Sequence, residues 1–497
     1  MSGTDIKEAM AFWEKEYAEI LKEDVSIDSL RGVFVAYNTN IDAIKHVDEE
    51  FAELLLSSSQ STTANNPPID AANAIPKQIE TVSDLLAGIA SSMRAGKALQ
   101  ISFAEDGNGV AAWLDENVKP DEARMGGQAG ITANILSVIN VRNVIIYTPL
   151  LPKRQAELFV KNDNLVVPAF NDDGSMELKK PLDAYNPDDT AKINWIFEYQ
   201  VGSRLGGIVS PRANRFIAAS RPEALKLHKD KRILAHAGDI ARLVDCAIFS
   251  GLQITKHTYK DGTTYELYIR EAAEFAKLLK EANPGLKLHL EFASIQNEDI
   301  RREILTTFAP QVHSLGINEV EIVDALETLG EHDIAYNIKT NECPISLYTG
   351  VKKLMQITGI KRVHIHSLGH FIAVTHKDYG ISIENTLKGL LYSSSLGGAK
   401  AKLGEIKSKD DIIAGLDVPP SRSGLLELMK LKDHLESIGG FLNEGMGADG
   451  DLRIAAIPAK VVDMPKSTVG MGDTISSSAF VTENALHRAA ALSRQAS

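Results

Sequence analysis

Short runs of β-branched and apolar residues alternate with helical patterns along much of this sequence, and that alternation limits the folds open to the chain. The runs fall at Val33–Ala36, Val144–Tyr147, Ala247–Ser250, Leu286–Leu290, Val312–Leu315, Val363–His366 and Arg453–Val462. Alternation of strands and helices builds right-handed βαβ units, because a parallel neighbour needs a crossover that packs on the sheet. We therefore predict an α/β fold with a mostly parallel central sheet flanked by helices on both faces.

Two regions interrupt the alternation, residues 43–125 and 155–235. Both are richer in polar residues and carry shorter alternating stretches such as Leu165–Phe170 and Ile193–Tyr199. A chain of 497 residues fits two domains at about 100–200 residues each. We predict a large domain formed by residues 1–42, 126–154 and 236–497, while residues 43–125 and 155–235 form a smaller α/β lid.

Composition excludes several classes of function. The formal net charge of -13 argues against a nucleic-acid surface. No apolar run approaches the roughly 18 residues needed to cross a bilayer, and the N-terminal segment has the spacing of an amphipathic helix. Cys246 and Cys343 lack the spacing of a zinc site or of a disulfide framework. We expect a cytoplasmic protein with no nucleic-acid or membrane partner, and both a monomer and a dimer fit the sequence.

The stretch Pro465–Phe480 is the strongest candidate for chemistry. Gly470, Met471, Gly472 and Asp473 stand where an extended run gives way to a helical pattern. The free N–H groups and the positive dipole end of a helix N-terminus bind anions, and an Asp there can take a proton from a hydroxyl group. A glycine-rich turn with an N-capping Asp is the alternative, and the pattern alone fits both.

Two further turns follow predicted strands. Asn40 and Asp42 lie at the end of the first strand, where ligands of open parallel sheets bind, and their acceptors suit sugar hydroxyl groups. An Asx-type turn explains the same residues. Gly127 and Gln128 precede a helix predicted over Ile131–Val138, where glycine lets the backbone approach a ligand closely.

Carboxylates also follow two predicted strands. His289 and Glu291 form one pair, and Asn318 stands three residues before Glu321. Glu291 and Glu321 are candidate Mg²⁺ ligands, although Asn-x-x-Glu is also a helix-capping pattern. Basic residues cluster in the second irregular region, which a solvated surface would also explain: Lys192, Arg204, Arg212, Arg215 and Arg221. If Arg215 and Arg221 lie on one strand, they project from the same face, where they could hold a phosphate together.

Taken in order, these motifs resemble those of the ADP-dependent sugar kinases, the archaeal phosphofructokinase/glucokinase family of the ribokinase-like superfamily. The resemblance runs from Tyr37–Asp42 to the Gly470–Asp473 motif. It implies a ribokinase-like, Rossmann-type large domain under a smaller lid, and transfer of the β-phosphoryl group of ADP to a sugar. It also implies the following roles: general base, Asp473; anion hole, Gly470 to Gly472; Mg²⁺ site, Glu291, Glu321 and Asp473; sugar site, Asn40, Asp42, Gly127 and Gln128; nucleotide site, His366, Ser367, Val462 and Gly472.

The choice of sugar rests on the predicted lid. The chain is most similar to the phosphofructokinase branch, in which residues matching Lys192 and Arg221 bind the 6-phosphate and the residue matching Arg215 lies nearer the transferred group. Gln100 stands where glucokinases of the family carry a glutamate. The resemblance thus implies phosphorylation of the 1-hydroxyl of fructose 6-phosphate, giving fructose 1,6-bisphosphate and AMP. Alternatives are a bifunctional or glucose-preferring ADP-dependent kinase, an ATP-dependent ribokinase-like kinase and a non-catalytic sugar-binding regulator.

Overall fold

The computed structural model describes residues 3–22, 25–60, 75–104 and 109–496. The α-helices in these ranges are α1 Gly3–Lys22, α2 Glu49–Gln60, α3 Val82–Ala95, α4 Gly109–Asn117, α5 Gln128–Val138, α6 Lys153–Ala156, α7 Pro181–Ala184, α8 Arg232–Ala235, α9 Ala237–Leu243, α10 Tyr265–Ala282, α11 Glu298–Glu303, α12 Glu319–Thr328, α13 His332–Thr340, α14 Pro344–Thr358, α15 Ile383–Leu403, α16 Arg422–Ser437 and α17 Met471–Ala496. No helix in these ranges is both long enough and apolar enough to span a membrane.

The strands form a large sheet, a small sheet and one short hairpin. Their bounds are β1 Val33–Tyr37, β2 Asn40–His46, β3 Leu99–Ser102, β4 Glu122–Gly126, β5 Val144–Tyr147, β6 Leu165–Phe170, β7 Met176–Lys179, β8 Ile193–Tyr199, β9 Arg204–Leu205, β10 Ile208–Val209, β11 Asn214–Ala219, β12 Cys246–Ser250, β13 Lys287–Glu291, β14 Ser314–Ile317, β15 Arg362–Ser367, β16 His370–His376, β17 Phe441–Asn443, β18 Met446–Asp449 and β19 Leu452–Pro458.

The large sheet has 12 strands in the order β17-β18-β19-β16-β15-β14-β13-β12-β1-β5-β6-β7. Its centre, from β15 to β6, is parallel, and antiparallel strands extend both edges. The central strands are buried on both faces because apolar helices cover each face, which is why they appear in the sequence as continuous apolar runs. The predicted α/β fold with a mostly parallel centre is confirmed.

The small sheet has five strands in the order β3-β11-β8-β2-β4. Its strands come from both of the irregular sequence regions. Sheet membership departs from the predicted boundaries, because β2 begins at Asn40 and because β6 and β7, inside 155–235, extend the large sheet instead. The alternating pattern that placed β6 in the lid is also typical of a sheet edge, so the pattern could not separate the two. Residues 61–74 and 105–108 of the first region lie outside the described ranges.

One face of the small sheet is apolar and the other is polar. Ile41, Ala43, Trp195, Phe197 and Phe216 belong to a separate apolar core that α2 and α3 cover. Successive residues of a strand point to opposite faces, so the residues between them project the other way. Those residues include Asn40, Asp42, Asn194 and Arg215, and this polar face borders the end of the large sheet where α17 begins.

Candidate active site

Helix α17 begins at Met471, after a turn in which Gly470 has φ +61°. Within the described residues, the backbone N–H groups of Gly472 and Asp473 have no hydrogen-bond partner, whereas that of Thr474 donates to the Gly470 carbonyl at 3.1 Å. Two free N–H groups at the positive end of a helix dipole form an anion site. Asp473 is the third helical residue, so it is not the N-capping Asp of the alternative interpretation.

Neighbouring side chains enclose this turn on two sides. A Cβ atom at Gly470 would lie 2.5 Å from Cδ1 of Ile131, and one at Gly472 would lie 2.9 Å from Nε2 of His366. Both distances are shorter than real Cβ contacts, and Gly470 also has a left-handed φ, so these positions require glycine. The anion loop, Gly470 to Asp473, is therefore held between α5 and β15.

The Asp473 carboxyl group lies among charged neighbours. Burial raises its pKa to about 6, while the Lys400 ammonium and a hydrogen bond from Gln128 lower it and the charge of Asp42 raises it. A group with this pKa is mostly ionised at neutral pH and still accepts a proton readily. The Gln128 amide is oriented by two bonds, because its Nε2 donates to the Phe292 carbonyl at 2.9 Å and its Oε1 accepts from Gln253 at 2.8 Å.

Lys400, in the last turn of α15, is a site residue that sequence reasoning missed. Its Nζ donates to the Gly470 carbonyl at 3.0 Å and to Oγ1 of Thr474 at 2.8 Å. Helix α15 comes this close because Gly397 has no side chain, and a Cβ atom there would lie 3.0 Å from Cγ1 of Ile475. The signal in the sequence was a Gly-Gly pair one turn before a lysine, which is too common to point to a site.

Glu291 lies buried at the end of β13, and His289 holds its carboxylate. Oε2 of Glu291 is 3.2 Å from Nε2 of His289, whose Nδ1 is 2.8 Å from Oγ of Ser314. Arg362 Nη1 donates to the same Ser314 oxygen at 3.0 Å, which leaves the Ser314 hydroxyl hydrogen free for Nδ1. This network assigns the proton of His289 to Nε2, which lies 3.2 Å from both its acceptors, Oε2 of Glu291 and Oγ of Ser476.

The network continues below α17 to a buried ion pair. Arg362 Nε lies 2.8 Å from Oε1 of Glu483, and both side chains have 0% relative exposure. The Tyr379 hydroxyl donates to the same carboxylate at 2.6 Å. Hydrogen bonds thus run from the site-facing Glu291 into the core of the large domain. Charged residues of this kind are rarely buried without such partners.

The Asn318–Glu321 pair forms the capping box of α12. The Asn318 side-chain oxygen accepts from the N–H groups of Val320 and Glu321 at 3.0 and 2.9 Å, and the Asn318 N–H donates to Oε2 of Glu321 at 3.0 Å. The capping interpretation is therefore confirmed for this motif. Burial raises the pKa of Glu321 to about 7, with the Asn318 N–H hydrogen bond acting against this rise and the charge of Asp473 contributing to it.

Besides burial, the charge of Asp473 raises the pKa of both Glu291 and Glu321. Burial raises the pKa of Glu291 well above its ordinary value, and the charges of Asp473 and Glu321 add to this. A cluster of three carboxylates suits a divalent cation, whose positive charge favours the ionised form of each carboxylate. In the described ranges no group of three or more His, Cys, Asp or Glu side chains is close enough to hold a metal ion unaided. A cation here would need water or phosphate oxygens to complete its coordination, as Mg²⁺ prefers.

Asn40 and Asp42 lie on the polar face of the small sheet, within electrostatic reach of the anion loop. Asn40 Nδ2 donates to Oδ1 of Asp42 at 2.6 Å. Burial raises the pKa of Asp42, while this hydrogen bond and the charges of Arg124 and Lys192 lower it. Gly126 pairs with Asn40 across the sheet, and the missing side chain leaves room for both polar groups. Arg124, the partner of Asp42 on β4, is a second residue that sequence reasoning missed.

Lys192 is buried next to this pair. Its Nζ donates to Oδ1 of Asn38 at 2.6 Å and of Asn40 at 3.5 Å. Burial lowers its pKa to about 7; the charge of Arg221 lowers it too, and Asp42 raises it. Arg221 is exposed as a residue, and although desolvation lowers the pKa of its guanidinium group, arginine stays charged at neutral pH. Two cations that repel each other at a cleft favour a bound anion between them.

Gln100 and Arg215 lie farther along the polar face. Gln100, on the edge strand β3, pairs with Ile217, and Arg215 pairs with Glu198. Strand β11 ends at Ala219, so Arg221 lies beyond the strand that carries Arg215. The condition that both arginines lie on one strand is therefore not met, and their even spacing does not place them on one face.

The residues expected at the nucleotide lie on the other side of the anion loop. His366 and Ser367 end β15, and Val462 lies in the loop after β19. Nδ1 of His366 and Oγ of Ser367 are buried without a hydrogen-bond partner. Burial lowers the pKa of His366 to about 4, so the ring is neutral at physiological pH.

Known proteins are similar in sequence to this chain over nearly its whole length. The ADP-specific Phosphofructokinase/Glucokinase conserved region matches residues 31–482. An ADP-specific phosphofructokinase from Methanosarcina acetivorans is 38% identical over 487 residues, which cover 94% of this chain and 96% of that protein. An ADP-dependent glucose/glucosamine kinase from Pyrococcus abyssi is 36% identical over 95% of this chain and 99% of its own length.

Solved structures are also similar to this chain. An ADP-dependent kinase in complex with fructose-6-phosphate and ADPβS is 40% identical, with a TM-score of 0.81 over 96% of this chain and 98% of that one. The fold is accordingly that of the ADP-dependent kinases, as the resemblance implied. The chain belongs to the ADP-specific phosphofructokinase/glucokinase family.

Proposed function

We propose that this protein is a kinase that transfers the β-phosphoryl group of ADP to the 1-hydroxyl of fructose 6-phosphate, giving fructose 1,6-bisphosphate and AMP. The observation that carries the choice of sugar is the buried Lys192 beside Arg221, at the polar face that borders the anion loop. A phosphorylated sugar satisfies both cations, whereas a neutral sugar leaves them facing each other. The M. acetivorans relative, named an ADP-specific phosphofructokinase, supports this choice.

The sugar lies between the two sheets in this proposal. Asn40 and Asp42 accept hydrogen bonds from its hydroxyl groups, and the backbone at Gly127 approaches it closely because Gly127 has φ +77°. The Gln128 amide, fixed by Gln253, bonds both the sugar and Asp473. The 6-phosphate faces Lys192 and Arg221. This orientation directs the opposite end of the sugar towards the anion loop.

Asp473 then acts as the general base. It takes the proton of the 1-hydroxyl as the sugar oxygen attacks the β-phosphorus of ADP and the bond to the α-phosphoryl oxygen breaks. The N–H groups of Gly472 and Asp473 hold the transferred phosphoryl group, whose negative charge they stabilise. Arg215 supplies a further positive charge on the transferred group when the small sheet, acting as a lid, closes over the site. Closure excludes water, which would otherwise accept the phosphoryl group.

Glu291, Glu321 and Asp473 would hold Mg²⁺. When bound, the ion would neutralise charge on the phosphate oxygens of ADP. The contribution of this chain is to orient the carboxylates: His289 donates to Glu291, and the capping box fixes Glu321. The adenosine part of ADP lies against His366, Ser367 and Val462, where the unpartnered Ser367 hydroxyl offers it a hydrogen bond.

Glucose is a second candidate acceptor. Gln100 offers hydrogen bonds to sugar hydroxyl groups without the negative charge that repels a phosphate. The P. abyssi relative is named an ADP-dependent glucose/glucosamine kinase and is nearly as similar to this chain as the phosphofructokinase is. We propose that glucose is used weakly, since it leaves Lys192 and Arg221 without a partner.

A coupled assay tests the proposal with four reactions: ADP or ATP as donor, against fructose 6-phosphate or glucose as acceptor. We expect AMP to form fastest with ADP and fructose 6-phosphate. Turnover with ATP alone would favour an ATP-dependent ribokinase-like kinase, and faster turnover of glucose would favour the glucokinase alternative. Tight sugar binding without any turnover would favour a non-catalytic regulator.

A further inference from the structure

Lys400 contacts the anion loop from behind. Its ammonium group bonds the Gly470 carbonyl at 3.0 Å and Oγ1 of Thr474 at 2.8 Å, and the Thr474 hydroxyl donates to the same carbonyl at 2.8 Å. The Gly470 carbonyl oxygen thus accepts hydrogen bonds from Lys400 of α15 and from both the hydroxyl and the backbone N–H of Thr474 in α17. None of the roles assigned above to the sugar, nucleotide or metal sites uses this lysine.

The contact acts on the peptide unit just before the N–H groups of Gly472 and Asp473, which hold the phosphoryl oxygens. The Gly470 carbonyl and the Met471 N–H belong to this unit, which begins α17, and the Met471 N–H donates to the Thr468 carbonyl at 3.3 Å. A cation on the Gly470 carbonyl fixes the orientation of the unit, and with it the direction of the two free N–H groups that follow. Gly470 has no side chain to hold the backbone at this left-handed position, which has φ +61°. Ile131 packs against Gly470 and His366 against Gly472, and Lys400 adds its hydrogen bonds to the Gly470 carbonyl and Thr474.

A purely structural contact would not need a charge. Burial lowers the pKa of Lys400 to about 8, so the protein pays to keep an ammonium group at this position. Asp473, the next charged group, favours the charged form of Lys400 and so offsets part of this cost. An apolar side chain of similar length would pack between α15 and α17 without that cost.

The lysine also lines a crevice. A cavity of about 950 Å³ lies between α5, α15 and β4, and its walls include Arg124, Lys400, Ser467 and Val469. Its walls also include Ile131, which lies against Gly470, so the cavity adjoins the anion loop. Small primary amines are far smaller than this volume, so they can enter the crevice and reach the position of the Lys400 ammonium group if its side chain is removed.

We propose that Lys400 is a positioning residue for phosphoryl transfer, which holds the Gly470–Met471 peptide so that the free N–H groups of Gly472 and Asp473 face the transferred group. This inference rests on the proposed function only in the identity of the reaction. If the anion loop holds the β-phosphoryl group, the protein should bind ADP more tightly than AMP. This preference can be measured without turnover.

The experiment compares Lys400→Ala and Lys400→Met with Lys402→Ala, a matched control two residues along the same helix whose exposed side chain pairs with Asp417 at 2.6 Å. We expect either Lys400 variant to lower kcat about 100-fold, as loss of an oxyanion-hole donor does, with little change in KM for the sugar. Ethylammonium should restore part of the lost rate of Lys400→Ala saturably. Tetramethylammonium, which has the charge but no N–H donor, should not.

Three results would overturn the proposal. They are a kcat within about threefold of the wild type in a folded Lys400→Met variant, an equal response of Lys400→Ala to both ammonium ions, and the same response in Lys402→Ala. Lys400→Met keeps the packing, so it decides the question if Lys400→Ala does not fold. If the wild type phosphorylates no sugar with ADP, the proposed function fails separately. The ratio of ADP to AMP affinity then decides: a loss of that preference in Lys400→Met supports the role, and an unchanged ratio contradicts it.

Discussion

The two sides of the site differ in how their side chains are held. On the large-sheet side, hydrogen bonds connect Glu291 through His289 and Ser314 to Arg362, and all four side chains are buried. On the small-sheet side, only the end next to the anion loop is built this way, around Asn40, Asp42 and Lys192. Beyond it, Gln100 and Arg221 are exposed and Arg215 is half-buried.

The buried side therefore carries the groups that act on the phosphoryl group, and the more exposed side carries the groups that select the sugar. Groups that act on a transferred phosphoryl group must be held in place before the substrate arrives, and buried networks do this. Exposed side chains on a sheet face can change without disturbing the core, since surface substitutions usually shift stability by no more than about 0.5 kcal/mol. We therefore expect substitutions on the large-sheet side to abolish turnover or folding, and those on the small-sheet side to change which sugar is used.

The largest expected effect is that of Asp473→Ala. Without the general base, kcat should fall about 10³-fold or more, while ADP binding changes little because the backbone N–H groups are retained. Steady-state kinetics and calorimetric titration with ADP measure the two quantities. A kcat close to that of the wild type in the folded variant would remove the general-base role, and with it the separation between the two sides.

Arg362→Met tests the buried network through stability. The substitution leaves Glu483 buried and unpaired, so we expect the free energy of unfolding to fall by about 3–5 kcal/mol. Lys352→Met is the control, because its pair with Asp449 at 2.6 Å is partly exposed and should contribute about 0–1 kcal/mol. Denaturant unfolding measures both variants. Equal losses would mean that burial of the pair does not set its contribution.

The same contrast explains what the sequence could predict. Periodicity identified the strands at Val144–Tyr147 and Ala247–Ser250 almost to the residue, because buried parallel strands are uninterrupted apolar runs. Chain order along the parallel sheet also predicted that residues following its strands would meet at one end. Lys400 and Arg124 were missed, since each reaches the site from an element whose own pattern is ordinary and whose position depends on packing.

The sequence also could not predict which residues share one strand, or the distances between residues on one face of a sheet. Periodicity assigns the residues of one strand to a face, but whether Arg215 and Arg221 share a strand depends on strand length, and neither residue's pattern contains that. The mixed small sheet takes its strands from segments far apart in sequence, so its register could not be derived. The NxxE motif was ambiguous for a different reason: Glu321 caps a helix with one oxygen and faces the acidic cluster at the same time.

On the small-sheet side, Lys192→Met should change substrate use. Loss of the buried cation should lower kcat/KM for fructose 6-phosphate about 100-fold, as expected for a charged hydrogen bond of about 1.5–3 kcal/mol, and change kcat/KM for glucose much less. Arg221→Ala should act in the same direction but less strongly, because Arg221 is exposed. Parallel kinetics with both sugars make the comparison. Equal losses for the two sugars would contradict the assignment of a phosphate site.

The pH dependence sharpens this assignment. Burial lowers the pKa of Lys192 to about 7, so the ammonium group is present below this pH and is lost as the pH rises through it. We expect kcat/KM for fructose 6-phosphate to fall above pH 7, by up to about tenfold per pH unit, with no matching decline for glucose. In Lys192→Arg the decline should disappear, because arginine keeps its charge. A decline common to both sugars would instead place the titrating group on the large-sheet side.

The smallest expected effect is that of Gln100→Glu. The new carboxylate lies on the polar face but in an exposed position, so its repulsion of a phosphate dianion is weak: at a separation on the order of 8 Å in water it costs about 1 kcal/mol, or about fivefold in kcat/KM. Glucose carries no charge and should gain a hydrogen-bond acceptor instead. Because the interaction passes through solvent, about 0.5 M salt should abolish the loss for fructose 6-phosphate and leave any gain for glucose. Gln356→Glu, on the exposed face of α14, controls for the change in net charge. A loss for fructose 6-phosphate that persists in salt would mean that Gln100 bonds the sugar directly, and that the small-sheet side is more rigid than its exposure indicates.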